Sequence, residues 1–220
     1  MKPSEEKIRI AGSAGALELI VDDPGELRGI ALVCHPHPLF GGTQNNKVTY
    51  TLARAFAHLG YLAIRPNFRG VGASDGAHDD GHGECDDMLE VLADARQRYG
   101  DLPIALAGFS FGAYVQTRVA AAMAAAKHPA QRLVLVGMAT GRIEDQGEDQ
   151  SEGARQYAAP AVPGDSIVIH GAADTTVPLA NVLAWAEPQQ LPIIVVPGAD
   201  HFFHRRLNVI RDIVIRAWRY

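Results

Sequence analysis

Short apolar runs bounded by Gly and Pro alternate along the chain with longer segments whose apolar residues recur at helical spacing. The runs are Gly29–Cys34, Tyr61–Arg65, Ile104–Ala107, Arg132–Val136, Ser166–Ile169 and Pro192–Val196. Near-continuous apolarity of this kind suits strands of a parallel sheet covered on both faces. Between them the spacing predicts helices over about Gln44–His58, Glu84–Tyr99, Phe111–Ala126 and Leu179–Ala186, with a last one over Phe203–Trp218. Upstream, Lys7–Ile10 and Ala16–Val21 read as two strands around a turn at Gly12–Gly15, which adds an antiparallel edge. The order is that of repeated βαβ units. Met138–Pro163 interrupts the alternation with Gly, Glu, Asp and Gln, and is expected to be a connection rather than a second domain. The Ala-rich stretch Ala120–Ala126 fits a helix packed close to a sheet.

Composition narrows the function classes. The 220 residues are 47% hydrophobic and 20% charged, enough for a substantial core, and a single domain over residues 1–220 is expected. The formal net charge of -5 removes the broad positive field that binding a phosphate backbone requires, so nucleic acid is not an expected partner. Cys34 and Cys85 lack CxxC spacing and are expected to be free thiols. Met1–Arg9 carries Lys2, Glu5, Glu6 and Lys7 instead of the apolar core of a secretory signal, and no run approaches the roughly 18 apolar residues of a membrane span. A cytoplasmic protein without membrane association is the expectation. Oligomeric state has no signature, and a monomer is the default.

The chemistry concentrates in Pro103–Ala113, PIALAGFSFGA, an apolar strand followed by Gly108-Phe109-Ser110-Phe111-Gly112 and a helical stretch. Two glycines around a serine are common by themselves. Between a strand and a helix they form GxSxG in the context of a nucleophile elbow. A sharp turn lifts the Ser110 oxygen above the sheet and aims the helix N-terminus, with the Phe111 N–H, at a developing oxyanion. A serine hydroxyl needs a base. Strand Ser166–Ile169 runs into His170-Gly171-Ala172-Ala173-Asp174, and strand Pro192–Val196 into Pro197-Gly198-Ala199-Asp200-His201. Asp174 and His201 thus fall on loops past strand C-terminal ends, where sites form in open α/β sheets. Alone, Asp174 also reads as a helix cap and His201 as a loop residue; together behind the elbow, the order Ser110, Asp174, His201 points to a catalytic triad.

Strand Gly29–Cys34 ends in His35-Pro36-His37-Pro38-Leu39-Phe40-Gly41-Gly42, a loop suited to supply the second oxyanion N–H. Pro36 and Pro38 have none to give, which leaves Leu39 first and Phe40 behind it. His35 and His37 lack an acid or third ligand at metal-site spacing, so neither a metal nor another cofactor is expected. His78–Asp87 also carries ligand-type residues, but reads better as a solvated loop with acids at the positive end of a helix dipole. Arg69, after a strand, suits either an anionic substrate group or a structural hydrogen bond.

The segments HPHPLFGGTQNNKV, RPNFRGVGASDG, GFSFG, HGAADTTVP and PGADHFF resemble the α/β-hydrolase superfamily, and within it small lidless serine esterases similar to dienelactone hydrolases. The resemblance implies an α/β-hydrolase fold, with a mostly parallel sheet, an antiparallel N-terminal edge, helices on both faces and little or no lid. It also implies Ser110 as nucleophile, His201 as base, Asp174 as orienting acid, and the Leu39 and Phe111 N–H groups as oxyanion hole. Dienelactone hydrolases usually carry cysteine where this chain has Ser110, which favours hydrolysis of a small-molecule ester or thioester. Acyl-thioesterase or peptidase chemistry with the same triad, or a silent binding module, are the alternatives to cleavage of small carboxylic esters. Gly137–Asp165 offers no broad apolar helix face for a lid, so the substrate pocket is expected to be shallow and open.

Overall fold

The computed structural model describes residues 4–144 and 154–218. Its centre is an eight-stranded sheet in the order β1-β2-β4-β3-β5-β6-β9-β10. These strands are β1 (Ser4–Gly12), β2 (Gly15–Asp23), β3 (Gly29–Cys34), β4 (Tyr61–Pro66), β5 (Ile104–Phe109), β6 (Arg132–Val136), β9 (Ile167–Gly171) and β10 (Ile193–Val196). All neighbours from β4 to β10 pair in parallel, while β1–β2 and β2–β4 are antiparallel. The antiparallel edge expected from the N-terminal alternation is present, and its hairpin is longer than the apolar residues mark.

Alternate strand residues serve two cores, as the pleat requires. Ile30, Leu32, Leu62, Ile64, Leu106, Leu133 and Leu135 face α2 (His82–Tyr99), α3 (Phe111–Ala125) and α4 (Leu179–Ala186). Ala31, Val33, Ala63, Ala105, Ala107 and Val134 face α1 (Lys47–His58) and α5 (Leu207–Ala217). No described helix is long and apolar enough to cross a membrane.

Helix ends depart from the periodicity for local reasons. α1 starts at Lys47, not Gln44, because Asn46 Oδ1 accepts from the N–H groups of Val48 and Thr49. α5 starts at Leu207 because Phe203 and Arg205 hold positive φ. The connection after β6 is not a plain loop. Gly141–Ile143 (β7) and Arg155–Tyr157 (β8) pair as an antiparallel ribbon, anchored by Asn181 Nδ2 of α4 to the carbonyls of Thr140 and Arg142. Residues 145–153, part of the segment expected to lack a lid helix, lie outside the described residues.

The site-forming contact is the approach of α3 to the ends of β3 and β5. A Cβ on Gly112 would stand 2.4 Å from the His35 carbonyl oxygen and 2.5 Å from that of Cys34, and one on Gly108 would stand 2.4 Å from the Gly112 backbone. These are backbone atoms, which have no rotamer to yield. Gly112→Ala is therefore expected to cost roughly 3 kcal/mol of stability through overpacking. For a chain of this size that lowers Tm by about 6–12 °C. Calorimetry checks this; an unchanged Tm would mean that α3 can slide away from β3.

Candidate active site

Ser110 sits between β5 and α3 at φ 54, ψ -118, a conformation that costs a non-glycine residue of order 1–3 kcal/mol. The surroundings hold it there: its N–H donates to the Val136 carbonyl at 2.9 Å, and its own carbonyl accepts from the N–H groups of Ala113, Tyr114 and Ala139. Ser110 Oγ lies 3.0 Å from His201 Nε2, and His201 Nδ1 lies 2.7 Å from Asp174 Oδ2. All three residues are buried. The network assigns the proton of a neutral His201 to Nδ1, facing the carboxylate, and leaves Nε2 to accept from the serine hydroxyl. The imidazole is held by the rings of Phe109 and Phe202, whose centroids lie 4.9 and 5.2 Å away.

Asp174 also serves its own turn. Its Oδ1 accepts from the N–H groups of Thr176 at 2.9 Å and Val177 at 2.8 Å, which is the capping use open to it from sequence, while Oδ2 faces His201. One carboxylate thus fixes its loop and orients the imidazole.

Both candidate donors of the β3 loop, the Leu39 and Phe40 N–H groups, are directed at His37. Leu39 and Phe40 lie in a one-turn 3-10 helix, Pro38–Phe40, with both side chains largely exposed. The Leu39 N–H is aimed at His37 Nδ1, 3.3 Å away, and the Phe40 N–H donates to the His37 carbonyl at 3.2 Å. His37 Nε2 meets Arg155 Nη1 at 3.1 Å, and a neutral imidazole accepts at only one nitrogen, but either tautomer leaves the Leu39 N–H directed at that ring. The N–H of His37 itself has no acceptor among the described residues. Residue 37 lines the cavity that holds Ser110. The sequence signal for it was present: His37 is the one non-proline residue in Pro36–Pro38.

That cavity, of about 340 Å³, is lined by apolar groups of Phe40, Phe111, Ala139, Ile143 and Val177, with Arg155 and Tyr157 of the ribbon on one side. The post-β6 connection therefore builds a wall of the pocket. Arg155 stacks on the Phe40 ring at 4.1 Å, and burial pushes the Tyr157 hydroxyl up to about 12. Burial, with His78, Arg155 and His35 nearby, pushes His37 down to about 3, so its ring is neutral at pH 7.

The remaining candidates have structural partners. His35 Nδ1 faces the Pro36 carbonyl at 2.7 Å and its Nε2 accepts from the Phe68 N–H at 3.0 Å, so both nitrogens are bound to backbone. Among the described residues no group of three or more His, Cys, Asp or Glu side chains is arranged to hold a metal ion. Cys34 and Cys85 are free and buried. The His78–Asp87 segment is less solvated than its composition implies. Glu84 is fully buried and accepts from the N–H groups of Asp79 and Gly81, with His78 Nδ1 at 2.7 Å. Arg69 grips buried Asp87 through two bonds of 2.8 and 2.7 Å, the structural alternative for this arginine.

Residues 32–162 match the family model of the alpha/beta hydrolase fold. An uncharacterised protein of Rickettsia prowazekii is 34% identical over 184 residues, covering 79% of this chain and 71% of that protein. An alpha-beta serine hydrolase homologue from Coxiella burnetii is 36% identical, covers 97% of both chains and superposes with a TM-score of 0.78. A serine hydrolase without a lid from Xanthomonas campestris is 35% identical over 97% of this chain and 93% of its own, with a TM-score of 0.82. The chain belongs to the α/β-hydrolase fold family, whose fold supports hydrolase activity.

Arg69→Met leaves the Asp87 carboxylate buried without its partner. It is expected to lower unfolding free energy by about 3 kcal/mol, and Arg69→Met with Asp87→Leu to recover most of that. Urea titration measures both; a loss below about 1 kcal/mol for the single variant would contradict the structural role.

Proposed function

We propose that this protein is a serine hydrolase that cleaves small carboxylic esters through an acyl-enzyme. The observation that carries this reading is the continuous hydrogen-bonded chain from Ser110 Oγ through His201 to Asp174, at 3.0 and 2.7 Å. In this scheme Ser110 Oγ attacks the ester carbon while its proton passes to His201 Nε2, and Asp174 stabilises the imidazolium that forms. The tetrahedral oxyanion is held by the N–H of Phe111, at the N-terminus of α3, and by a second N–H from the β3 loop. For that donor we favour His37 over Leu39, because the Leu39 N–H is turned to an imidazole and the His37 N–H is not engaged. His201 then protonates the leaving alcohol, and water, activated by the same imidazole, hydrolyses the acyl-enzyme. The similarity to serine hydrolases of Coxiella and Xanthomonas supports this reading.

Fluorophosphonate labelling followed by mass mapping tests it directly, with Ser110 as the expected adduct. Ser110→Ala should abolish labelling and lower kcat by about 10⁴–10⁶ with the fold intact by circular dichroism. His201→Ala should cost about as much, and Asp174→Asn less, because the carboxylate only orients and stabilises the imidazole. More than a tenth of the activity surviving in Ser110→Ala would overturn the assignment.

The pocket also sets an expectation for substrate length. A cavity of about 340 Å³ with one wall from the short ribbon covers few methylenes, and each one left in water forgoes about 0.8 kcal/mol. Across p-nitrophenyl esters, kcat/KM should peak at roughly acetate to hexanoate, with no activation at a lipid–water interface. A steady rise out to palmitate would overturn this expectation.

A further inference from the structure

One buried polar side chain beside the triad has no place in this scheme. His170, near the end of β9, is fully buried in a strand that otherwise presents Ile167, Val168 and Ile169 to the cores. Its Nε2 lies 3.0 Å from the Val177 carbonyl oxygen and 3.4 Å from Asp174 Oδ2, and its Nδ1 has no partner among the described residues. This arrangement decides the tautomer. A proton on Nδ1 would be a buried donor without an acceptor, and would set the Nε2 lone pair against two acceptor oxygens; the proton therefore belongs on Nε2. Burial lowers the basicity of His170, against the opposing pull of Asp174 and the Val177 carbonyl, which keeps the ring neutral at pH 7.

An apolar side chain of similar size would fill the same space without burying an unpartnered nitrogen, so the polar ring is costly for packing alone. Its bonds close a loop around the acid. Asp174 Oδ1 takes the Val177 N–H, and the Val177 carbonyl takes the His170 Nε2–H. We propose that His170 is a positioning residue for the reaction: its Nε2–H pins the Asp174–Val177 turn and draws the charge of Asp174 Oδ2 partly away from His201. This rests on the serine-hydrolase reading.

The consequence is a pH effect with a definite sign. Facing His201 are Asp174 from the loop after β9, His170 behind that carboxylate, and Ser110 from the elbow. The packing rings of Phe109 and Phe202 are uncharged, and Asp200 is turned outward to His204 at 2.6 Å. The positive end of the His170 N–H dipole makes the imidazolium of His201 less stable than an unshared carboxylate would. Without that N–H, His201 should hold its proton to higher pH. The rising limb of kcat/KM should then move upward by roughly half a unit.

The test uses the full chain with His170→Gln, His170→Asn and His170→Leu, assayed as pH–rate profiles on p-nitrophenyl acetate. The Gln amide reaches the place of Nε2, whereas that of Asn reaches only as far as Nδ1. His170→Leu and His170→Asn should lose about tenfold to a hundredfold in kcat with little change in KM, and His170→Gln should stay within about threefold, as for other hydrogen-bond partners behind functional side chains. The two impaired variants should also show the upward shift, and His170→Asn carries the test if His170→Leu does not fold. Equal losses in all three variants with an unmoved limb, or no loss in any, would overturn the role of His170 while wild-type Ser110 still labels with fluorophosphonate. Failure of the wild type to label would overturn the serine-hydrolase reading, and the role of His170 with it.

Discussion

The site depends on one close approach, that of the first turn of α3 to the backbone at the end of β3. Gly112 permits it, since a Cβ there would stand within about 2.5 Å of the His35 and Cys34 carbonyl oxygens, while Gly108 lets the same turn sit against the end of β5. The contact brings Ser110, strained at positive φ, beside the β3 loop that carries His37, and both line one cavity. Parallel pairing does the rest. Because β5, β6, β9 and β10 all run the same way, the loops after β9 and β10 emerge at the same edge as the elbow and bring Asp174 and His201 to it.

Around this edge, side chains that are polar by composition are spent on holding loops still. Glu84 gathers two backbone N–H groups and His78; Asp87 takes both arms of Arg69; His35 joins two backbone segments; Asp174 caps its own turn. Buried polar groups left unsatisfied cost stability, and for these side chains the partners are mainly loop backbone.

Elements long enough to show a period were legible in the chain. The parallel strands and the existence of the five described α-helices follow from apolar spacing, because a core with two faces demands it wherever it is built. Ser110, Asp174 and His201 stood out as candidates for a related reason, each following an apolar strand at its C-terminal end. The ribbon β7–β8 was not legible, since three residues such as Arg155–Tyr157 carry no period and are stabilised by α4 and by one another. The depth of Glu84 and Asp87 was equally hidden, because acids in a loop look solvated until their partners are known.

The sequence by itself determined the order of elements, the antiparallel edge and the strand ends at which chemistry-bearing residues fall, all of which depend on local propensity and repeating pattern. Only the tertiary structure decided the distances from Ser110 to His201 to Asp174, the aim of the Leu39 and His37 N–H groups, and the pairing of His170 with the acid's turn. Those are contacts between segments far apart in the chain. Their geometry is set to tenths of an ångström by how helices pack on a twisted sheet, and hydrogen bonds respond to differences of that size.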